Sequence, residues 1–189
     1  MTQKNDLNSQ ASRCNCTALR KASRRISQLY DAVLAPSGLK TTQRAILAQI
    51  RRSEPTTVGN LAEALVMDAG ALAHTLKPLE RDRLVSIDVD PKDRRNRVAK
   101  LTPAGHARLA QSDKLWENAQ RGFEAGFGRL KSASLREAMQ FLVSGEFVTA
   151  FEKDIAKGSS APSPRLSFPD DQGSASEFGA LLLRFSDCV

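Results

Sequence analysis

The 189-residue chain is long enough to bury the core of one domain, and its 41% hydrophobic and 26% charged residues are ordinary for a soluble globular protein. Its net charge of +7 points to a polyanionic partner. The N-terminus lacks the basic and apolar regions of a secretory signal, and no apolar run has membrane-spanning length, so we expect a cytoplasmic protein with reduced cysteines and no membrane contact.

The motifs of common enzyme classes are missing. The chain contains no G-x-S-x-G, Walker, H-E-x-x-H or C-x-x-C motif, and its two histidines, His74 and His106, lie 32 positions apart. Because catalytic and metal sites need several such side chains close together, we expect no enzyme activity, no metal and no cofactor.

The N-terminal third predicts three helices. The first covers residues 17–34, where apolar residues recur at spacings of three and four opposite a basic face. The second covers 41–52, and a short third helix with its entry segment covers 56–65. The apolar seam of the first helix consists of Leu19, Ala22, Ile26, Leu29 and Val33, and its basic face of Arg20, Lys21, Arg24 and Arg25.

A fourth helix is predicted after Asp68, whose short side chain suits the N-cap position. Leu72, Leu76 and Leu79 recur at helical spacing and form its buried face. The opposite stripe is small or polar and is free to meet a partner. This stripe consists of Gly70, His74, Lys77 and Arg81.

Two strands joined by a basic turn are predicted next. Apolar and polar residues alternate over 85–89, as in a half-buried strand, and 98–101 has strand character again. The segment 91–97 between them contains turn-forming residues and four cations without one apolar side chain.

The remaining folded part is predicted to be helical. Thr102 caps a long helix with Pro103 in its first turn, and Ser134 with Glu137 matches a capping box that opens a last helix. Because these helices and the first one have apolar seams but no sheet to cover, we expect two copies of the chain to pack together. The seam of the long helix consists of Leu109, Trp116, Ala119, Phe123, Phe127 and Leu130, and that of the last helix of Leu135, Ala138, Leu142 and Phe147.

The run DPKDRRNRVAKLTPAG, with PLERDRLV just before it, resembles the wing and the end of the recognition helix of the MarR family of bacterial transcription regulators. The resemblance extends from about residue 14 to residue 153. It implies a mainly α fold with a small β-hairpin wing (α+β). A winged helix-turn-helix DNA-binding lobe would cover 41–102, and an α-helical dimerisation region would be built from both termini, 11–40 and 103–156. Residues 157–189, which contain much Ser, Pro and Gly, predict a flexible tail.

The resemblance assigns base contacts to the predicted fourth helix. Gly70, Ala71 and His74 would lie at base-edge depth, with Lys77 and Arg81 beside them. The family commonly has Arg and Thr where this chain has small residues at 69–71. Direct readout therefore depends on His74, Lys77, methyl contacts and DNA shape.

The predicted hairpin would contact the DNA backbone and the minor groove. By resemblance, Arg95 is the first candidate for minor-groove insertion and Arg94 the second, and Asp93 is expected to orient one of these guanidinium groups. Arg97 and Lys100 would face phosphates. The alternative is a solvated hairpin whose charges only prevent edge-to-edge aggregation.

Two further sites follow from the resemblance. Many family members bind small phenolic or other anionic aromatic effectors between the dimer helices and the lobe, where Tyr30, Arg44, His106 and Trp116 are candidates by position, although each also fits an ordinary structural role. One branch of the family senses peroxides through a cysteine near the start of the first helix. Here Cys14 and Cys16 lie near Arg13 and Arg20, and cations lower thiol pKa. The alternative is one small buried thiol and one inert surface thiol.

These observations predict a homodimeric, sequence-specific transcription regulator, a repressor, that binds a pseudo-palindromic double-stranded DNA operator and is released by a small ligand or an oxidant. Two alternatives remain open. One is a sequence-neutral architectural DNA-binding protein, which the small residues at 69–71 favour. The other is a redox-sensing regulator that uses Cys14 and Cys16.

Overall fold

The structure, a computed structural model, describes residues 14–158 of the chain. The predicted mainly α fold with a small β-hairpin wing is confirmed. The chain divides into two compact units, Met1–Met139 and Gln140–Val189. The outer parts of both units, including the predicted tail from residue 159 onward, lie outside the described residues.

The helices begin and end close to the predicted positions in the first 100 residues. A short 3-10 turn, Ala35–Ser37, follows the first helix. The helices are α1 (Asn15–Leu34), α2 (Thr41–Ser53), α3 (Val58–Ala64), α4 (Ala69–Arg81), α5 (Pro103–Phe127), α6 (Arg129–Leu142) and α7 (Gly145–Gly158).

Three antiparallel strands form a small sheet in the first unit. They are β1 (Thr56–Thr57), β2 (Val85–Val89) and β3 (Arg97–Leu101), in the order β1-β3-β2. The sequence predicts these two residues only as the entry to a helix, because two residues are too few to show an alternating pattern. β2 and β3 pair from Val85 with Leu101 to Val89 with Arg97, which leaves residues 90–96 as the tip of a hairpin.

The core of the first unit lies between α2, α3, α4, the sheet and α5. Leu72, Leu76 and Leu79 are all buried, which confirms the predicted inner face of α4. Each fully buried leucine contributes about 2 kcal/mol through removal of apolar surface from water. The other large, fully buried members of this cluster are Ile46, Leu47, Ile50, Leu61, Val85 and Leu109.

Side-chain caps fix where the helices begin. Asp68 Oδ1 accepts a hydrogen bond from the Ala71 N–H at 2.8 Å, so Asp68 is the predicted N-cap of α4. Thr102 Oγ1 likewise accepts from the Gly105 N–H at 3.0 Å and caps α5. Because each cap satisfies an amide that lacks a partner within its helix, the orientation of the chain at both starts is defined locally.

The prediction for the C-terminal helices was partly wrong. Ser134 lies inside α6 and caps nothing, because α5 ends at Gly128, whose φ of +97° lies in a region that favours glycine. The new helix starts at once, and the Ser132 hydroxyl donates to the Gly128 carbonyl at 2.8 Å. Leu130 therefore lies outside α5 and is 85% exposed.

The predicted last helix is two helices, α6 and α7, and its stripe is not a buried one within the chain. Ala138 is exposed, whereas Leu135, Leu142 and Phe147 are only half-buried. In α1, Leu29 is 54% exposed, and in α7, Phe151 is 52% exposed. In the described part of a single chain, these apolar side chains are therefore exposed to solvent.

None of the helices within residues 14–158 combines the length and the apolar character needed to cross a membrane.

The start of α5 lies in close contact with the backbone before β2. A Cβ built on Gly105 would lie 2.0 Å from the Leu84 carbonyl oxygen, which no side chain can tolerate without movement of the main chain. The Thr102 N–H donates to the same oxygen at 3.1 Å. Glycine is therefore required at 105 by space.

Gly105→Ala is expected to lower the free energy of unfolding by about 2 to 3 kcal/mol, because the added methyl group meets backbone. Denaturant titration followed by circular dichroism measures this change. The matched control is Gly122→Ala in the same helix, where nothing lies within 4 Å of an added Cβ. Alanine there is expected to raise stability by up to about 1 kcal/mol through helix propensity. Equal effects of the two substitutions would contradict the close approach at Gly105.

Candidate DNA-binding surface

The outer face of α4 carries the stripe that the sequence predicts, which is called the α4 stripe from here on. Gly70, His74, Lys77 and Arg81 are all exposed, opposite the buried leucines. The exposed residues beside the start of the stripe are also small, and they are Ala69, Ala71 and Ala73. The N-terminal half of α4 therefore presents a nearly smooth surface from which His74 projects.

Several polar groups of α4 are already occupied within the chain. The Asp68 carboxylate caps the helix, and the Thr75 hydroxyl donates to the Ala71 carbonyl at 3.0 Å. Arg81 Nε donates to Asp82 Oδ1 at 3.0 Å, and this hydrogen bond raises the pKa of Arg81. The positive charge of Arg81 thus has an acidic neighbour at its side, unlike Lys77.

The hairpin of β2 and β3 carries five cations that project into solvent. All are exposed, and none forms an ion pair with any of the residues that the structure describes. These side chains, the wing cations below, are Lys92, Arg94, Arg95, Arg97 and Lys100. Asp88, Asp90 and Asp93 lie in the same hairpin, but the five cations outnumber them, so the wing has a net positive charge.

Asp93 has a different role from the one expected. Its Oδ1 accepts a hydrogen bond from the Arg95 N–H at 3.0 Å, and its carbonyl oxygen accepts one from the Asn96 N–H at 2.9 Å. No ion pair with a guanidinium group is formed among the described residues. Asp93 therefore shapes the turn that carries Arg94 and Arg95, because a short carboxylate favours such local backbone bonds.

Arg44, on α2, makes the main polar contact with α5. Its Nη2 donates to Asp113 Oδ1 at 2.7 Å, and its guanidinium carbon lies 4.6 Å from the centre of the Trp116 ring. Arg51 Nη1 donates to Asp113 Oδ2 at 3.1 Å. Burial lowers the pKa of Arg44 and Asp113 raises it, but an arginine remains charged at neutral pH. The Arg44 Nε–H is buried without a hydrogen-bond partner among the described residues.

The other two candidates for effector binding have separate partners. The Tyr30 hydroxyl donates to Gln120 Oε1 at 2.9 Å, and burial raises the pKa of Tyr30. His106 Nε2 lies 3.5 Å from Glu54 Oε2, near the opposite end of α5. The structure thus brings Arg44 and Trp116 together, whereas the polar partner of Tyr30 is Gln120 and that of His106 is Glu54.

Both N-terminal cysteines within the described residues are free and exposed. Cys14 is the N-cap of α1, and its Sγ accepts hydrogen bonds from the Thr17 hydroxyl at 3.2 Å and from the Thr17 N–H at 3.4 Å. These hydrogen bonds lower the pKa of Cys14 because they stabilise the thiolate. The alternative of a buried thiol is wrong for the single chain. Arg13 lies outside the described residues.

The sequence patterns do not indicate two acidic residues that position the site, Asp113 and Asp31. Asp113 binds Arg44 and Arg51 at separations of 69 and 62 positions. Asp31 of α1 accepts hydrogen bonds from the N–H and the hydroxyl of Thr41, at 2.6 and 2.7 Å, and so caps α2 from another helix. Local patterns contain no signal for such pairs, because the partners meet only when the helices pack.

The described residues contain no group of three or more His, Cys, Asp or Glu side chains placed to hold a metal ion.

Comparison with known proteins agrees with this geometry. A sequence profile of the MarR family matches residues 37–96, from the 3-10 turn to the tip of the hairpin. The chain is 32% identical to the transcriptional regulator MosR of M. tuberculosis, crystallised in complex with DNA. That match covers 67% of this chain and 96% of MosR, with a TM-score of 0.58. A comparison with curated protein sequences finds no match.

Two further solved structures share the fold. A mutant MarR from E. coli, complexed with operator DNA, is 23% identical over 67% of this chain and 91% of its own, with a TM-score of 0.62. The transcriptional repressor CouR, bound to a 23-mer DNA duplex, is 23% identical over 70% of this chain and 94% of its own, with a TM-score of 0.65. At these identities the likeness establishes the fold alone.

A recognition helix with an exposed outer face, next to a β-hairpin wing, defines a winged helix-turn-helix protein. The identity to MosR over nearly the whole of that protein places the chain in the MarR family, as its sequence predicts. It is a MarR-family transcription regulator.

Asp113→Ala is expected to lower the free energy of unfolding by about 3 kcal/mol, because it leaves the buried Arg44 guanidinium without its anion. Thermal or denaturant unfolding measures the loss. Arg51→Ala is the control, since it removes the more exposed partner and leaves Arg44 paired, and is expected to cost less than about 1 kcal/mol. A larger loss for Arg51→Ala would overturn the assignment of Arg44 as the buried partner.

Proposed function

We propose that the chain is a homodimeric, sequence-specific repressor that binds a pseudo-palindromic operator and is released by a small ligand or an oxidant. A repressor of chromosomal genes acts in the cytoplasm, where the chromosome lies. The observation that carries the proposal is the exposed α4 stripe beside wing cations that have no acidic partner among the described residues. The complex of MosR with DNA supports it, because MosR is the relative at 32% identity.

Each half of the surface has a separate task. The α4 stripe would enter the major groove with its N-terminal residues at the base edges, with Lys77 and Arg81 nearer the phosphates. Arg95, or Arg94 beside it, would enter the adjacent minor groove, where A·T-rich sequence strengthens the negative potential. Arg97 and Lys100, on β3, would contact phosphates. Asp93 would contribute indirectly, through the turn that presents the two arginines.

Uncovered apolar side chains support the homodimer. In α1, Leu19 is 39% exposed and Leu29 is 54% exposed, and in α7, Phe151 and Ile155 are about half exposed. Proteins of the family are dimeric. We infer that α1, α5, α6 and α7 supply the dimerisation region and residues 41–102 the DNA-binding lobe. A two-fold dimer would place two recognition helices about 34 to 36 Å apart, one turn of DNA.

Arg44 and Trp116 offer the best position for an anionic aromatic effector. A guanidinium group over an aromatic ring binds a carboxylate or phenolate on one side and an apolar ring on the other. The Arg44 Nε–H, buried without a partner among the described residues, is a donor that an effector oxygen would satisfy. An effector that competes with Asp113 for Arg44 would loosen α2 from α5 and so change the spacing of the recognition helices. Tyr30 and His106 have other polar partners, Gln120 and Glu54, and we assign them a smaller role in effector binding.

Oxidation of Cys14 is a second candidate signal, and its exposed, hydrogen-bonded Sγ favours it. The thiolate would attack one oxygen of a peroxide, the O–O bond would break, and the released hydroxide or alkoxide would take up a proton equivalent to the one that the thiol lost on ionisation. The product, a sulfenic acid, is reduced back to the thiol by cellular thiols. Since Cys14 caps α1, its oxidation would disturb the start of a helix that we place in the dimer interface. Cys16, two residues away, is exposed and is the nearest second thiol.

A DNA-binding titration tests the main proposal. It uses DNA from the region upstream of the protein's own gene, with scrambled DNA as competitor, at two salt concentrations. The wild type is expected to resist scrambled DNA and to lose affinity steeply with salt. Arg95→Ala is expected to weaken binding roughly tenfold to hundredfold with an unchanged circular dichroism spectrum, and to reduce the salt slope by about 1.

Arg24→Ala, on the exposed basic face of α1, is the control because it removes the same charge from outside the proposed surface. Equal losses for the two variants would show that net charge, and not the wing, determines affinity. Equal affinity of the wild type for both DNAs would favour a sequence-neutral architectural protein.

For the thiol, peroxide is expected to release the wild type from DNA but not Cys14→Ser, and Cys16→Ser shows whether a second thiol takes part. In a chain with Cys16→Ser and Cys188→Ser, the rate of alkylation of Cys14 against pH reports its pKa. Thr17→Ala is expected to move that profile to higher pH, because it removes the hydroxyl that stabilises the thiolate. An unaltered response of Cys14→Ser to peroxide would dismiss the thiol sensor.

A further inference from the structure

The exposed face of α4 contains few side chains that are available to hydrogen-bond with a base. The Asp68 carboxylate and the Thr75 hydroxyl hydrogen are engaged with backbone, and Arg81 is paired with Asp82. Of the α4 stripe, only His74 and Lys77 form no hydrogen bond or ion pair among residues 14–158. His74 lies nearer the N-terminus of the helix, where base edges are read.

On the N-terminal side of His74, the exposed side chains of α4 are no larger than a methyl group. Ala69, Ala71 and Ala73 are exposed, and a Cβ built on Gly70 would meet only its neighbour Asp68 Oδ1, at 3.1 Å. Without long side chains, the backbone of this half of the helix can approach the base edges closely. Exposed alanine methyl groups match one feature of the major groove, the 5-methyl group of thymine.

We propose that His74 is the base-specifying residue of α4, that it reads one guanine in each half-site, and that the flanking alanines pack on the methyl groups of adjacent thymines. This inference rests on the proposed function, and it names the bases that the proposed surface selects. In this arrangement α4 forms one base-specific hydrogen bond, through His74, and its other base contacts are apolar.

The preference for guanine follows from the hydrogen-bond donor that an imidazole ring offers. Each tautomer of the neutral ring carries one N–H, and the charged ring carries two. Guanine presents two adjacent acceptors, N7 and O6, on its major-groove edge, whereas adenine places an amino group beside its N7. A single ring N–H therefore finds an acceptor on guanine over a wide range of ring orientations, whereas adenine offers it only N7, beside a competing donor.

Selection from random duplex DNA with the full-length protein tests the assignment, because it requires no known operator. The wild type is expected to select half-sites with an invariant G·C pair. His74→Ala is expected to lose discrimination at this pair alone, by about tenfold, while other positions stay selected. His74→Gln is expected to shift the preference there from guanine to adenine, whose N6 and N7 a glutamine amide matches.

Replacement of individual thymines by deoxyuracil in the selected site tests the methyl contacts, since it removes only the 5-methyl group. Each contacted methyl is expected to account for about fourfold in affinity. No change at any thymine beside the G·C pair would overturn this part of the proposal.

Lys77→Ala is the matched control from the same stripe, and it is expected to weaken all sequences alike without altering the selected site. An unchanged selected site in His74→Ala, or a uniform loss like that of Lys77→Ala, would overturn the role of His74 while the proposed function stands. If the wild type selects no site at all, the proposed function and this inference both fail. Circular dichroism melting of each variant confirms that the exposed substitutions leave the fold intact.

Discussion

The contact between Gly105 and Leu84 is the constraint on which the arrangement of the DNA-binding lobe depends. The missing side chain at 105 lets the first turn of α5 approach the Leu84 carbonyl oxygen, and Thr102 adds hydrogen bonds to the Leu84 and Arg83 carbonyls, at 3.1 and 2.6 Å. Leu84 lies between the end of α4 and the start of β2. The recognition helix, the wing and the long helix therefore meet within one closely packed turn, and because packed interiors deform little, a displacement of α5 moves the other two with it.

Polar contacts connect α2 of the same lobe to α1 and to α5. Asp31 caps α2 from α1, and Asp113 of α5 binds Arg44 and Arg51. Acidic side chains of the first unit are thus used to hold helices together, whereas the wing cations have no ion-pair partner among the described residues. The hairpin also contains Asp88, Asp90 and Asp93, but its five cations outnumber them, so the wing keeps a net positive charge. In the proposed function, Arg44 is the point where an anionic effector would alter the packing of the lobe.

Recognition in the proposed complex divides between two kinds of contact. The wing would supply charge and would respond to the shape of the minor groove, which favours affinity over a range of sequences. Because the other N-terminal residues of α4 are small, hydrogen bonding to bases falls to His74. The small residues also let the helix backbone come close to the base edges. A dimer compensates for a short list of base contacts, because both half-sites must match at the correct spacing. The uncovered seams of α1 and α7 are consistent with such a dimer.

The sequence predicts the recognition helix, the hairpin, the exposed stripe and the family correctly, because the Asp68 cap, the leucine spacing and the basic turn are all local patterns. It misplaced the C-terminal helix boundary, because the capping-box pattern at Ser134 lies five residues into a helix that begins directly after Gly128. It also expected Asp93 to orient a guanidinium, whereas the folded turn uses that carboxylate for its own backbone. The partners of Arg44 and Thr41 and the need for glycine at 105 are evident only from the packed structure. Those contacts join groups from different elements, and their energies depend on distances that exist only after the helices have packed.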